Sequence, residues 1–312
     1  MKILVTGGCG FIGSHIVDAY LRMGHQVAII DDLTTGDIRN LNPTATFYEE
    51  DIRNREIEQI FVREKFDVIN HHAAQINVRT SVDDPLFDAD VNILGSLNLM
   101  NLAQKYRVKR FIFASSGGTV YGEPQKFPIT EDFPIEPSSP YGVSKATVEK
   151  YLKLFAQLYK TDYVILRYSN VYGPRQISKS EAGVISIFIN QILNNEQCIV
   201  FGDGNQTRDY VYVDDVVKAN CACLEIASDV LNIGTGIETS VNDLITILSD
   251  IAKKPVGHEH GSARPGEIFR NVLDFSKARS TLNWEPEITL EQGIKKTFDY
   301  FTLPDAGTKK IS

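Results

Sequence analysis

The run TGGCGFIGSH, residues 6–15, joins an apolar segment, KILV, to the start of a helical pattern that continues through IVDAYLRMG. Gly7, Gly10 and Gly13 stand at a three-residue spacing inside it. Glycines at such positions let the turn close, let the backbone approach a pyrophosphate and let helix pack on strand, while the helix N-terminus favours negative charge. Placed between a first strand and a first helix, the loop implies a dinucleotide site rather than merely a tight turn. A second apolar run, QVAIIDD, carries Asp31 to its end, eighteen residues beyond Gly13. That is close to the ~20 residues expected for an acid that binds the adenosine ribose. Asp32 is its substitute, and a solvated loop acid is the competing reading. A carboxylate there accepts hydrogen bonds from a free ribose hydroxyl and repels a phosphate, which favours NAD over NADP.

Short β-rich runs (KILVTGG, QVAIIDD, FDVINHH, RFIFASS) alternate with helical stretches through the first half. Such alternation predicts an α/β fold built from βαβ units, with a doubly wound parallel sheet. After YVILRYSNVYGPR the rhythm loosens, so residues 1–169 are expected to bind the dinucleotide. Residues 170–312 are expected to form mainly a smaller, mixed α/β substrate-binding region, with some segments returning to the first domain and a ligand cleft between the two. The stretches VNILGSLNLMNLAQKY and YGVSKATVEKYLKLFAQLYK are apolar around more of their circumference than one sheet contact requires. The surplus predicts a homodimer through these two helices.

The balance of 32 basic against 40 acidic residues, net −8, offers no general field for nucleic acid or an anionic membrane. An anionic ligand would need locally placed arginines. Cys9, Cys198, Cys221 and Cys223 lack zinc-site spacing and read as reduced thiols of a cytoplasmic protein. The start MKILVTGG leaves no room for a signal peptide, and no apolar run approaches membrane-spanning length.

Within SPYGVSK, Tyr141 and Lys145 lie four residues apart, on one face of a helix that Pro140 is suited to open. The two heads can meet, and an ammonium favours the phenolate of a tyrosine whose unperturbed pKa is about 10. Taken alone the pair is an ordinary surface pair. It gains meaning from RFIFASSGGTVYG, a buried strand ending in hydroxylic residues about 25 positions upstream. Ser116 or Ser115, the Tyr141 phenol and the Lys145 ammonium would supply a donor, an acid/base and a pKa tuner around one substrate hydroxyl.

At these residues the chain resembles the extended short-chain dehydrogenase/reductase family, and within it the UDP-glucose 4-epimerase-like enzymes. The resemblance runs through TGGCGFIG, Asp31, EDI at 50–52, HHAAQ at 71–75, VNILGS around Asn92, SSGGTVYG, SPYGVSK, LRYSNVYGPR, FGDGNQTRDYVYVDDV and NIGTG. It implies a Rossmann fold, tightly bound NAD held by the glycine loop with Phe11 and Ile12, and Asp51 and Ile52 at the adenine. It further implies that Ala73, Ala74, Gln75 and Asn92 line the cofactor, with Ser115 and Tyr168 near the nicotinamide. His71 and His72 then belong to a cofactor-side strand end, with no metal expected. Asn170 would contact the substrate nucleotide, and Arg208 and Arg264 its diphosphate; Arg175 is a third candidate, or a structural ion pair. Gly117 and Gly118 take the space where some epimerases have one small residue, and alignment from the strand side favours Ser116 as the substrate donor.

The implied reaction is interconversion of UDP-glucose and UDP-galactose through a 4-keto sugar, with Tyr141 as acid/base and Lys145 also holding the nicotinamide ribose. Asn271 matches the position beside the sugar's carbon 2 substituent, and its small side chain leaves room for an acetamido group. The alternatives are a nucleotide-sugar 4,6-dehydratase or decarboxylase, disfavoured because Gly117, Gly118 and Thr119 provide no acid, and a non-catalytic NAD-binding regulatory module.

Overall fold

The structure, a computed structural model, describes residues 1–176, 183–263 and 268–303. Its first-half strands are β1 (Lys2–Thr6), β2 (Gln26–Asp31), β3 (Thr46–Glu49), β4 (Val68–His71), β5 (Arg110–Ser116) and β6 (Asp162–Tyr168). With the later strand Asp229–Ile233 they form a seven-stranded parallel sheet in the order Asp229–Ile233, β6, β5, β4, β1, β2, β3. This is the doubly wound Rossmann arrangement that the alternation of runs predicts.

Both faces of the sheet are covered, which is why its strands read as continuous apolar runs. Along β1 the side chains alternate. Ile3 and Val5 pack with Ile16, Val17 and Tyr20 of α1 (Phe11–Arg22), whereas Leu4 packs on the other face. That second face holds Ile60 and Phe61 of α2 (Glu58–Glu64), Leu99 and Met100 of α5 (Gly95–Lys105) and Val148 and Leu152 of α6 (Pro140–Tyr159). Ser139 caps α6 by accepting from the Gly142 amide at 3.2 Å, and Pro140 occupies its first position. Two short helices, α3 (Val78–Asp83) and α4 (Pro85–Ala89), lead into a wider π-type turn over Asp90–Leu94 that runs on into α5.

A separate core gathers Tyr172, Ile185, Phe188, Ile189, Val200, Tyr212, Leu244, Leu248 and Ile294. Around it stand the helices Val184–Leu193, Val241–Ala252 and Leu290–Thr302 and short strand pairs, among them Asn170–Tyr172 beside Tyr210–Tyr212. In the main sheet β1 lies between β2 and β4, so the connections leave in opposite directions there and open a crevice at the strand ends. The glycine loop and the segment after His71 flank it.

Candidate active site

The glycine loop is shaped by what it cannot accommodate. Gly7 has φ +69°, and a Cβ on it would stand 2.7 Å from the Ala73 amide nitrogen; one on Gly13 would fall 2.1 Å from the Gly7 carbonyl oxygen. Gly10 caps α1 in extended conformation, and no side chain bonds the first turn. The amides of Phe11, Ile12 and Gly13 therefore have no intrahelical acceptor, and the positive end of the helix faces the crevice. This cradle fits a pyrophosphate.

Asp31 is buried at the end of β2, accepting from the Cys9 amide and the Leu33 amide, each at 2.9 Å. Burial raises its pKa, and those two backbone donors oppose the rise. Asp32 is exposed and bonds only within its turn, to the Thr34 amide. Asp31, not Asp32, thus stands against the glycine loop. Asp51 pairs with Arg53, which also reaches Asp90 at 2.7 Å, and Ile52 is buried where α5 begins.

At the end of β4 one hydrogen-bond chain fixes the geometry. Ser96 Oγ donates to the Asn92 carbonyl at 2.6 Å, so it accepts from His71 Nε2 at 2.9 Å. His71 Nδ1 then accepts from Thr6 Oγ1 at 2.7 Å, and Thr6 Oγ1 accepts in turn from the amides of His72 and Ala73, each at 3.2 Å. His72 Nε2 lies 3.1 Å from the Tyr168 hydroxyl; burial pulls the imidazole pKa down to about 3, with the Lys145 charge acting the same way. Among the described residues no group of three His, Cys, Asp or Glu side chains is arranged to hold a metal ion.

The Asn92 side chain clasps the Gln75 backbone, and both side chains converge on Asp88. Asn92 Oδ1 accepts from the Gln75 amide and Asn92 Nδ2 donates to the Gln75 carbonyl, both at 2.9 Å. Asn92 Nδ2 and Gln75 Nε2 both donate to Asp88 Oδ1, each at 2.9 Å. These two residues can therefore shape a cofactor wall through backbone and form rather than through free side-chain donors. Ala74, half-buried, continues the segment from Ala73.

Tyr141, Lys145 and Glu149 line one stripe of α6. Lys145 is 4% exposed; its Nζ donates to the Ala114 carbonyl at 2.9 Å and lies 4.8 Å from the Phe113 ring centroid and 5.7 Å from that of Tyr141. No hydrogen bond joins the ammonium to the phenol oxygen; Nζ stands over the ring instead. A buried ammonium needs an acceptor, and the strand carbonyl provides one. Burial lowers the Lys145 pKa to about 8, against the upward pull of Asp88 and Glu149. Burial, then the Asp88 charge, hold the Tyr141 phenol well above its ordinary value, while a hydrogen bond with Ser116 opposes them.

The two serines divide clearly. Ser115 spends its single proton on Glu149 Oε1 at 2.5 Å, so it cannot also donate to a substrate. Ser116, half-buried at the strand end, lies near enough to the Tyr141 phenol to pull its pKa down. Tyr168 is its register partner on β6. A Cβ on Gly117 would strike Leu273 at 2.5 Å, whereas one on Gly118 would clear both Ser116 Oγ at 3.7 Å and Asn170 Oδ1 at 3.9 Å. The second glycine therefore leaves space between the catalytic candidates and Asn170. Asn271 is buried, with Nδ2 on the Gly117 carbonyl at 3.2 Å and Oδ1 without a partner among the described residues. Arg208 Nη1 donates to the Thr207 carbonyl at 2.8 Å beside the Asn170 segment, whose amide bonds the Asp209 carbonyl at 2.9 Å. Arg175 is paired with Asp18 at 2.8 Å, and Arg264 lies outside the described residues.

Asp88, Ser144, Glu149 and Arg167 stand out by no chemistry of their own in the sequence. Glu149 and Arg167 form a fully buried ion pair at 2.6 Å, and Arg167 Nη1 also donates to the Tyr121 hydroxyl at 2.7 Å. The available signal was spacing: Glu149 follows Lys145 by four residues, and Asn92 follows Asp88 by four.

Residues 3–234 match the profile of the NAD dependent epimerase/dehydratase family. The chain belongs to this family. Among solved structures, this family member is 47% identical to a UDP-glucose 4-epimerase of Thermotoga maritima solved with UDP-glucose, covering 96% of this chain and 98% of that one at a TM-score of 0.95. A Thermus thermophilus UDP-glucose 4-epimerase in complex with NAD is 39% identical, covering 96% and 99%, at 0.93. A UDP-N-acetylglucosamine 4-epimerase of Methanobrevibacter ruminantium, in complex with UDP-N-acetylmuramic acid, is 38% identical, covering 96% and 97%, at 0.91.

Proposed function

We propose that this chain is an NAD-dependent UDP-sugar 4-epimerase that interconverts UDP-glucose and UDP-galactose. The observation that carries the reading is the grouping of Tyr141, Ser116 and Lys145 at the strand ends facing the glycine cradle. The cradle of Gly7, Gly10, Phe11, Ile12 and Gly13, with Asp31 behind it, fits NAD, and Asp51, Ile52, Ala73, Ala74, Gln75, Asn92, Ser115 and Tyr168 complete its proposed surroundings. When bound, NAD would take up the carbon-bound hydrogen of carbon 4 with its electron pair and return it to the other face. Tyr141 Oη, as the phenolate that added positive charge in the occupied site would favour over the buried phenol, takes the proton of the 4-hydroxyl and later gives it back. Ser116 Oγ orients that oxygen, while Lys145 supplies positive charge and can hold the nicotinamide ribose. Asn170, Arg208 and Arg264 grip the nucleotide and diphosphate while the keto sugar turns.

We assign the dinucleotide to residues 1–169 and the sugar nucleotide mainly to 170–312. Elimination chemistry is disfavoured because Gly117 cannot accept a side chain and Gly118 has none. The small Asn271, with Oδ1 unpartnered, favours extending the substrates to the N-acetylhexosamine pair: turned toward the cleft, Oδ1 would accept from a sugar amide N–H. A homodimer through the Val91 and Tyr141 helices is supported by exposed Leu94, Val143, Leu154 and Leu158. A cytoplasmic role in galactose metabolism completes the reading; among the described residues no helix is long and apolar enough to cross a membrane.

The test is purified protein assayed for bound nicotinamide and incubated with UDP-galactose and a panel of UDP-sugars. Copurifying NAD with UDP-glucose formation is expected. Bound NAD without turnover would indicate a sensor, and a 4-keto-6-deoxy product a dehydratase.

A further inference from the structure

Asp88, on α4, is fully buried and held by three neutral donors from three separate segments. Oδ1 accepts from Gln75 Nε2, after β4, and from Asn92 Nδ2, in the π-type turn, each at 2.9 Å; Oδ2 accepts from Ser144 Oγ, on α6, at 2.6 Å. Ser144 immediately precedes Lys145 and follows Tyr141 by three residues. We propose that Asp88 is a positioning residue that joins the cofactor wall to α6 and sets the charge felt by Tyr141 and Lys145. The proposal rests on the epimerase reading for its catalytic consequence, but not for its electrostatic one.

The groups around Lys145 single out Asp88. From β4 come His71 and His72, both held neutral by burial. From β5 come the Phe113 ring and the Ala114 carbonyl. From α6 come the Tyr141 phenol and Glu149, whose charge is answered at close range by Arg167 of β6. Asp88 meets no such cation in its hydrogen bonds, so its field reaches the pair with less cancellation in a poorly screened interior. Consistent with this, it is the larger of the two charges that favour the Lys145 ammonium, and it also disfavours the Tyr141 phenolate. Removing it should make both groups lose protons more easily.

Asp88→Asn preserves shape and removes the charge; Ser144 can reverse its bond and accept from the new amide. The readout is the carbon-13 shift of Lys145 Cε across pH in protein as purified, assigned with Lys145→Met. The Lys145 midpoint is expected to fall by about one unit in Asp88→Asn, and both limbs of the pH–rate profile with UDP-galactose to move to lower pH. Ser144→Ala, which loses one hydrogen bond but keeps the charge, should leave the Lys145 midpoint in place. Asp88→Ser gives the same neutral readout if the amide disturbs folding. An unmoved Lys145 midpoint in the folded neutral variants, or an equal shift in Ser144→Ala, would overturn the proposal. Wild-type protein that leaves UDP-galactose unconverted would instead sink the epimerase reading, with the Lys145 titration still deciding the role of Asp88.

Discussion

In the proposed reaction Tyr141 carries the proton and Lys145 the charge, and their side chains are placed otherwise than a head-to-head pair on one helix face. With Nζ on the Ala114 carbonyl, the lysine stands over the phenol ring, 5.7 Å from its centroid. Tyr141→Phe removes the transferable proton while leaving the ring packing, so turnover of UDP-galactose should drop by roughly 10²- to 10⁴-fold with NAD content unchanged. Retained NAD and a near-normal rate would exclude the assigned role. His72 carries a separate pH signature. Its folded pKa is depressed to about 3, so the unfolded chain, with an ordinary histidine, binds the proton first as pH falls below about 6.5. Its contribution to stability is complete at higher pH and is lost as pH drops through that window. Urea titrations at pH 7 and pH 5 should accordingly show a smaller acid loss in His72→Phe than in the wild type. Much of this was legible from motifs, because Tyr141, Lys145 and the glycines sit at fixed spacings. The role of Asp88 was not, since its partners Gln75, Asn92 and Ser144 are scattered along the chain and meet only in the fold.

At the scale of elements, α6 carries more than the proposed catalytic pair. Its third member on the same stripe, Glu149, ties the helix to β5 through Ser115 and to β6 through Arg167. Sequence periodicity marks the helix, but an ion pair that spans helix and strand has no local pattern, so Arg167 read only as part of LRYSN. Arg167→Met would leave Glu149 buried without its cation. The expected cost is about 3–5 kcal/mol in chemical denaturation, and a Glu149→Gln/Arg167→Met double variant should recover part of it. The glycine loop gives a sharper steric contrast. Gly13→Ala puts a methyl into the Gly7 carbonyl and should abolish copurifying NAD, whereas Gly118→Ala meets only ordinary contacts and should keep it. Equal NAD content in the two variants would contradict the proposed cradle.

For the whole molecule, the apolar surplus read from the sequence survives folding as uncovered side chains, Leu158 being 60% exposed and Leu94 57%. Light scattering of the wild type is expected to give a dimer, and Leu158→Glu a monomer; a monomeric wild type would remove the proposed interface. The sheet order has another consequence. The strand Asp229–Ile233, which follows much of the second core in the chain, pairs with β6. The two regions are therefore laced together rather than strung in series. A fragment ending at residue 169 would uncover the backbone edge of β6 where Val164, Ile165 and Leu166 are fully buried in the intact chain. An open apolar edge of this kind recruits other strands. Expressed alone, the dinucleotide half should form strand-exchanged oligomers or precipitate, and co-expression of residues 170–312 should return it to solution by supplying the missing neighbour. The last strand of the sheet is delivered from the middle of the second core's chain, between Val213 and Leu244, so neither region is complete before the other has begun.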